Sequence, residues 1–235
     1  MAKPALLGTS HKVKLSESIG VLTRVLYLSP SDESGINVCQ FATDGCRKAC
    51  LGHSSGMMVY PTHKVARKRK TLMYFRERPA FFAQLRKDIA ATVRAASREG
   101  LTPSVRLNGS SDLPWERSGI MAEYPGVAFY DYTKNKSRAL AQTGPNWPSN
   151  YRLVFSRSGE NDQDCLDVLA AGGNVAVVFG AKKGTPIPAT WRGYRVIDGD
   201  EHDYRYGEAR GIVIGLRAKG AAKKDFTSGF VVRGE

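Results

Sequence analysis

The chain has 235 residues, of which 42% are hydrophobic and 24% charged, and its formal net charge is +13. This is the composition of an ordinary globular protein, and no apolar run approaches the roughly 20 residues that a membrane span requires. The N-terminus lacks the apolar run of a secretory signal, so we expect a cytoplasmic location, where thiols stay reduced.

In chain order, an N-terminal arm over residues 1–20 precedes a β-branched apolar run at 21–28, which predicts the first strand. The loop 37–56 follows, with the sequence NVCQFATDGCRKACLGHSSG. Two basic helices are predicted over 61–98, because Pro61 and Pro79 suit helix starts. In the second of them, apolar residues recur at helical spacing, namely Phe82, Leu85, Ile89, Val93 and Ala96.

From residue 103 onward, short apolar runs alternate with stretches that fit helices, such as 161–171. This pattern predicts an α/β fold with a mainly parallel sheet of about six to seven strands. We interpret it as an incomplete β/α barrel, with a doubly wound sheet as the alternative. Residues 21–235 then form one domain that carries the cysteine loop and the basic helices. The six runs lie at 104–107, 127–130, 152–155, 174–179, 194–197 and 211–216.

Small polar clusters follow several of these runs on their C-terminal side. Because the carboxyl ends of parallel strands line the active site in such folds, we expect the clusters to face the cysteine loop at a single site. The candidate binding residues are Asn108, Gly109, Ser110, Ser111, Asp112, Ser156 and Arg157, and the candidate catalytic residues are Asp131, Asp198, Asp200 and His202.

Cys39, Cys46 and Cys50 lie close together in the glycine-rich loop. In a reducing compartment this favours a metal or cluster over disulfides. One possibility is a zinc ion with His53 or His63 as the fourth ligand. The other is a [4Fe–4S] cluster on three thiolates, which leaves one iron open. The remaining cysteine, Cys165, shares the apolar face of a predicted helix with Leu169, so we expect it to be packed.

The order of a strand, a three-cysteine loop and a β/α series resembles the radical S-adenosylmethionine enzymes. The resemblance implies a [4Fe–4S] cluster on the three cysteines and an S-adenosylmethionine cofactor. It implies that the segment 108–112 lies near the amino group of that cofactor, and that Ser156 and Arg157 lie near its ribose or carboxylate. The cysteine spacing here, with six and then three intervening residues, is wider than is usual in that superfamily.

A closer resemblance is to an uncharacterised family of phage and mobile-element proteins. It implies a phage setting, in the cytoplasm of an infected or host bacterial cell, and no particular chemistry. The motifs that carry it are VRLNGSSD at 105–112, FYDYTKN at 129–135, VFSRSGEN at 154–161, VIDGDEHDYR at 196–205 and GLRAKG at 215–220.

Three functions remain open at this point. The favoured one is an iron–sulfur enzyme of radical S-adenosylmethionine type that acts on nucleic acid or a phosphorylated substrate. The second is a metal-dependent nuclease with a structural zinc, in which strand-end carboxylates hold Mg²⁺ and Tyr130 or Tyr132 is a conceivable nucleophile. The third is a zinc-stapled, non-enzymatic nucleic-acid-binding protein. Phosphate contacts are expected from the basic cluster Arg67, Lys68, Arg69 and Lys70.

Overall fold

The computed structural model describes residues 4–54 and 56–233. Its centre is a sheet whose seven longer strands run parallel. All seven correspond to predicted apolar runs. They are β2 (Val21–Leu26), β3 (Thr102–Arg106), β4 (Ala128–Thr133), β5 (Tyr151–Ser156), β6 (Asn174–Phe179), β8 (Tyr194–Asp198) and β9 (Val213–Arg217).

Three further strands have only two residues each: β1 (Leu7–Gly8), β7 (Thr190–Trp191) and β10 (Val231–Val232). They bring the sheet to ten strands, in the order β1-β2-β3-β4-β5-β6-β9-β8-β7 with β10 beside β6. The predicted count of six to seven is therefore too low, because a two-residue strand carries no apolar run that a sequence could reveal. The sheet is also open between β1 and β7, so the predicted barrel is not confirmed.

β10 occupies an unusual position in this sheet. The pairing of β5 with β6 ends at Ser156 and Ala176, and β10 then pairs with Val178 and Phe179 of the same strand. The C-terminal segment, residues 218–233, therefore continues the sheet where β5 stops.

Helices α4 (Pro61–Arg76) and α5 (Arg78–Glu99) correspond to the two basic helices predicted over 61–98. The predicted apolar face of α5 is confirmed, since Phe82, Leu85 and Ile89 are buried in one core cluster with Val105 and Phe129 of the sheet. Full burial of each such side chain stabilises the fold by roughly 1.5–3 kcal/mol. The other helices are α1 (His11–Lys14), α2 (Asp44–Lys48), α3 (Leu51–Ser54), α6 (Ile120–Glu123), α7 (Lys136–Ala141) and α8 (Asp162–Ala170).

Residues 199–206 cross the face of the sheet opposite α5. There Asp203 accepts hydrogen bonds from the hydroxyl of Tyr130 at 2.9 Å and from the guanidinium of Arg106 at 3.1 Å. Arg205 donates to the hydroxyl of Tyr132 at 3.1 Å. Both tyrosines therefore serve as internal hydrogen-bonding partners in this structure.

The described part of the predicted N-terminal arm packs against the domain rather than lying apart from it. Leu6 and Val13 are buried, and the backbone N–H groups of Leu6 and Leu7 donate to Asp88 of α5 at 2.5 and 3.0 Å. Among the described helices, none is both long and apolar enough to cross a bilayer.

Candidate functional site

The cysteine loop lies at the carboxyl edge of the sheet. The N–H of Asp112, after β3, donates to the carbonyl of Val38 at 2.8 Å, and the hydroxyl of Thr43 reaches the carbonyl of Ser158, after β5, at 3.4 Å. Thr43 also caps α2 by accepting from the N–H of Cys46 at 3.3 Å. The loop is therefore fixed against the ends of two parallel strands.

The three thiols of this loop share one electrostatic environment. The pKa of Cys39 is raised to about 11, chiefly by burial and in smaller part by the nearby charges of Asp112, Cys50 and Cys46, against a hydrogen bond from the N–H of Ser31. The Ser31 nitrogen lies 3.5 Å from that sulfur. Burial also raises the pKa of Cys50, opposed by hydrogen bonds from the N–H groups of Gly52 and His53.

Within residues 4–54 and 56–233, no three Cys, His, Asp or Glu side chains converge as the ligands of a single metal ion would. The expected zinc ligands point elsewhere. His53 Nδ1 lies 3.8 Å from Glu33 Oε1, and the ring of His63 packs near that of Tyr60, with centroids 6.4 Å apart.

A single zinc ion and a four-iron cluster place different demands on three thiolates. Zinc–sulfur bonds of about 2.3 Å would hold tetrahedral thiolates in mutual contact, whereas a four-iron cluster binds each thiolate to a different iron and keeps them further apart. Hydrogen bonds from backbone N–H groups to sulfur, as at Cys39 and Cys50, are also a feature of iron–sulfur sites. Cys165 is buried in a separate core cluster with Val168 and Leu169, as predicted.

The segment 108–112 is rigid, and most of its side chains are engaged internally. The Asn108 amide donates to the carbonyl of Leu113 at 2.9 Å, and its oxygen accepts three hydrogen bonds, from the Ser111 hydroxyl, the Leu113 N–H and the Trp115 indole. A Cβ at Gly109 would lie 2.6 Å from Val25 Cγ1, so the backbone there needs glycine. The group of this segment that meets a thiol is the carbonyl of Ser110, 3.8 Å from Cys39 Sγ.

Asp112 is charge-balanced by its surroundings. It accepts from Arg138 at 2.7 Å and from the backbone N–H of Lys134 at 2.8 Å, and Arg138 also binds Glu116. After β5, Arg157 binds Asp162 at 2.6 Å and donates to the carbonyl of Gly229 at 2.6 Å, and Ser156 accepts from Asn161 through its carbonyl. Arg157 thus anchors the C-terminal segment.

The four candidate catalytic residues do not form one group. Asp131 lies on the α5 side of β4, where it is buried beside Asn108 and Tyr151, and its burial raises its pKa to about 7 against their hydrogen bonds. Asp198 is paired with Arg217 at 2.7 Å and Asp200 with Lys219 at 2.7 Å. Burial lowers the pKa of His202. Asp131 is separated from the other three because side chains alternate along β4, which places Asp131 on the same face of the sheet as Phe129.

Two members of the predicted phosphate-binding cluster face inward. Arg67 is 2% exposed and donates to the carbonyls of Met58 and Gly52, and Lys70 donates to the carbonyl of Leu6 at 2.6 Å. Lys68 and Arg69 are exposed. The prediction of four phosphate contacts is therefore wrong for Arg67 and Lys70. Four consecutive residues cover all sides of a helix, so Arg67 and Lys70 face the protein interior while Lys68 and Arg69 face solvent.

Residues 4–234 match the protein family described as Gene product 88. The chain belongs to the Gene product 88 family. The match supports the predicted phage-type family and covers almost the whole chain. No curated protein and no solved structure matches the chain. The resemblance to radical S-adenosylmethionine enzymes therefore gains no support from these comparisons.

In this member of the Gene product 88 family, one residue beside the cysteine loop was not singled out from the sequence. Lys134 follows β4, is half-buried, and its ammonium lies 5.8 Å from the ring centroid of Phe230. Its charge lowers the pKa of Cys50, opposing the effect of burial. Its sequence signals were its position in the polar cluster 131–134 after the apolar run 127–130 and in the motif FYDYTKN at 129–135.

Proposed function

We propose that the protein is an iron–sulfur protein in which Cys39, Cys46 and Cys50 bind a [4Fe–4S] cluster at the carboxyl edge of the sheet. The observation that carries the proposal is the shared environment of the three thiols. They lie within reach of each other's charge on one fixed loop, and two of them accept backbone N–H groups. Thiolates gathered on one half-buried loop repel one another, and a cationic cluster core offsets that repulsion.

The same site is the one that would receive a cofactor. A cluster with one iron free of protein ligands can bind a small molecule such as S-adenosylmethionine and supply it with one electron. In support, the loop is flanked by the rigid segment 108–112 and by the strand end at Ser156 and Arg157. We therefore propose that the segment 108–112 and the residues after β5 surround the cofactor.

A magnesium-dependent nuclease is less well supported. Such an enzyme needs carboxylates free to hold the metal. Asp112, Asp198 and Asp200 are each neutralised by an arginine or a lysine at 2.7 Å.

Nucleic-acid binding is a second candidate, favoured by the exposed side of α4. The helix contains no acidic residue. Its exposed side carries Lys64, Lys68, Arg69 and Arg76, together with the apolar side chains of Val65 and Phe75. Phosphates are attracted to such a surface, and bases can pack on its apolar residues.

Purification without oxygen tests the cluster directly. The wild-type chain is expected to be brown and to carry about four irons. Cys46→Ala should lose the iron and the visible absorption, and Cys165→Ala should keep both, because Cys165 is buried in a separate core cluster. A colourless wild-type protein that contains only zinc would contradict the proposal.

A further inference from the structure

We infer that the exposed face of α4 binds single-stranded nucleic acid in preference to duplex, with bases stacked on the rings of Tyr60 and Phe75 and phosphates held by Lys64 and Lys68. This inference rests on the nucleic-acid-binding candidate among the proposed functions and does not depend on an iron–sulfur cluster. It names the form of nucleic acid that fits the surface and the residues that select it.

The first observation is the alignment of two rings and two ammonium groups along α4. Tyr60 is the N-cap residue of the helix, and its carbonyl accepts from the N–H groups of His63 and Lys64 at 3.1 Å each. After Tyr60, the residues Lys64, Lys68 and Phe75 follow at intervals of four, four and seven positions, which are close to whole numbers of helical turns. The four residues therefore form one row along the helix, about 22 Å long at 1.5 Å per residue.

The second observation is the exposure of this row. Tyr60 is 57% exposed, Phe75 41% and the neighbouring Val65 70%, and both lysines are exposed. Of the nine large apolar side chains that are exposed in the described part of the chain, four lie between residues 59 and 75. Apolar groups gathered on one surface mark an interaction site. Because the sequence of α4 contains no acidic residue, the surface complements a polyanion.

The third observation is that the opposite side of α4 is anchored. Arg67 donates to the carbonyl of Gly52 at 3.1 Å. Tyr74 is buried in the main core cluster, and its ring packs edge-to-face with that of Phe75, with centroids 4.9 Å apart. The row is thus held in place before a ligand arrives, so that binding costs little ordering of the protein.

These groups match a single strand better than a duplex. In a duplex the bases are stacked on each other, and their faces reach a side chain only after costly unstacking. The bases of a single strand can turn outward and stack on aromatic rings, while the backbone follows nearby cations. Adenines of a duplex are read through the major groove by asparagine and glutamine, and α4 contains neither residue type.

The test measures the fluorescence anisotropy of a labelled DNA strand, alone and annealed to its complement, over a series of salt concentrations. The wild type should bind the single strand more tightly than the duplex. Tyr60→Ala and Phe75→Ala should each weaken single-strand binding roughly tenfold without changing its salt dependence, because stacking releases no counterions. Duplex binding should stay unchanged, and Tyr60→Phe should bind as the wild type does, because it keeps the ring.

Ile19→Ala is the matched control. Ile19 is 48% exposed and precedes β2 at the amino edge of the sheet, outside α4. This variant should bind like the wild type, and unchanged thermal unfolding of each variant excludes misfolding as the cause of weaker binding.

The outcomes separate this inference from the candidate on which it rests. Equal affinity of the wild type for the two forms, or unchanged single-strand affinity in both alanine variants, would overturn single-strand selection and leave electrostatic binding through α4 standing. An equal loss in Ile19→Ala would also overturn it. If neither form binds, the nucleic-acid candidate fails together with this inference.

Discussion

The carboxylate of Asp131, in the middle of β4, accepts a hydrogen bond from the backbone N–H of Asn108 at 2.6 Å. Its second oxygen accepts from the hydroxyl of Tyr151 at 3.0 Å. This carboxylate joins three neighbouring strands at the position where the segment 108–112 leaves the sheet. A group that looks catalytic in the sequence thus supports the segment that faces the cysteine loop.

Asp131 should make stability depend on pH. Burial raises its folded pKa from 3.8 to about 7, so the folded chain prefers the protonated form. This group therefore costs nothing below its unfolded pKa, and its cost grows as the pH rises from about 4 to 7, reaching at most roughly 4 kcal/mol. Asp131→Asn keeps an acceptor for the N–H of Asn108, can donate its amide N–H to the hydroxyl of Tyr151 in place of accepting from it, and does not titrate. Relative to wild type, the variant should gain stability across this pH window, measured by urea unfolding.

Asp164→Asn provides the control for that measurement. Asp164 lies at the start of α8 with 40% of its side chain exposed. Its removal should give a much smaller pH-dependent difference. If the stability of Asp131→Asn tracked that of wild type from pH 4 to 8, the raised pKa would be contradicted.

A methyl group at Gly52 should disturb the cysteine loop. The added Cβ would lie 2.7 Å from Pro30 Cγ and 3.3 Å from Cys50 Sγ, and the proline ring is rigid. We expect Gly52→Ala to cost roughly 1–3 kcal/mol of unfolding free energy and to lower the iron content. At Gly126, an added Cβ meets nothing within 4 Å, so Gly126→Ala should keep wild-type iron. Equal iron content in the two variants would count against a tightly packed loop.

The buried ion pairs of Arg138 should matter far more than an exposed pair. Its side chain is 8% exposed and binds Asp112 and Glu116 at 2.7 and 2.8 Å. Arg138→Met leaves two largely buried carboxylates, 11% and 12% exposed, without a cation, at a cost of about 3–5 kcal/mol. Arg86 makes an equally short contact with Glu123, but their side chains are 44% and 39% exposed. Arg86→Met should be nearly neutral in thermal unfolding, and similar losses in both variants would refute the contrast.

Nucleic-acid binding through α4 should depend steeply on salt. Fluorescence anisotropy with a labelled single strand should give a linear fall of log affinity with log salt concentration. The double variant Lys64→Glu, Lys68→Glu should weaken binding and reduce the slope by about two. Arg98→Glu, near the end of α5, changes a comparable exposed charge at another position. The candidate fails if the wild type does not bind, or if Arg98→Glu weakens binding equally.

The sequence predicted elements well where a periodic pattern was long. The seven parallel strands and α5 follow from apolar runs and from the spacing of Phe82, Leu85 and Ile89. The lateral order of the strands could not be read in the same way, so the incomplete barrel and the doubly wound sheet remained alternatives. In α4, the buried residues Arg67, Thr71 and Tyr74 have helical spacing. This buried face was not predicted, because a cluster of basic residues was expected to be exposed.

The candidate site was less predictable than the fold. The cysteine loop follows the first strand directly along the chain, so its position could be predicted from the order of residues alone. Which charges pair is decided by tertiary contacts, as between Asp112 and Arg138 or Asp200 and Lys219, the latter across 19 positions. The contact between Lys134 and the ring of Phe230 likewise depends on the tertiary fold.

The arrangement of the C-terminal segment has a consequence for the order of events during synthesis. The loop with the three cysteines leaves the ribosome early, whereas Ala218, Ala222 and Val231, which pack with Ala49 of that loop, leave it near the end. The contact between Ala221 and Ser54 spans 167 positions. Contacts that distant form late in folding. The thiols therefore remain accessible to cellular metal and oxidants throughout translation, and their final surroundings close around them only after the last strand has joined the sheet.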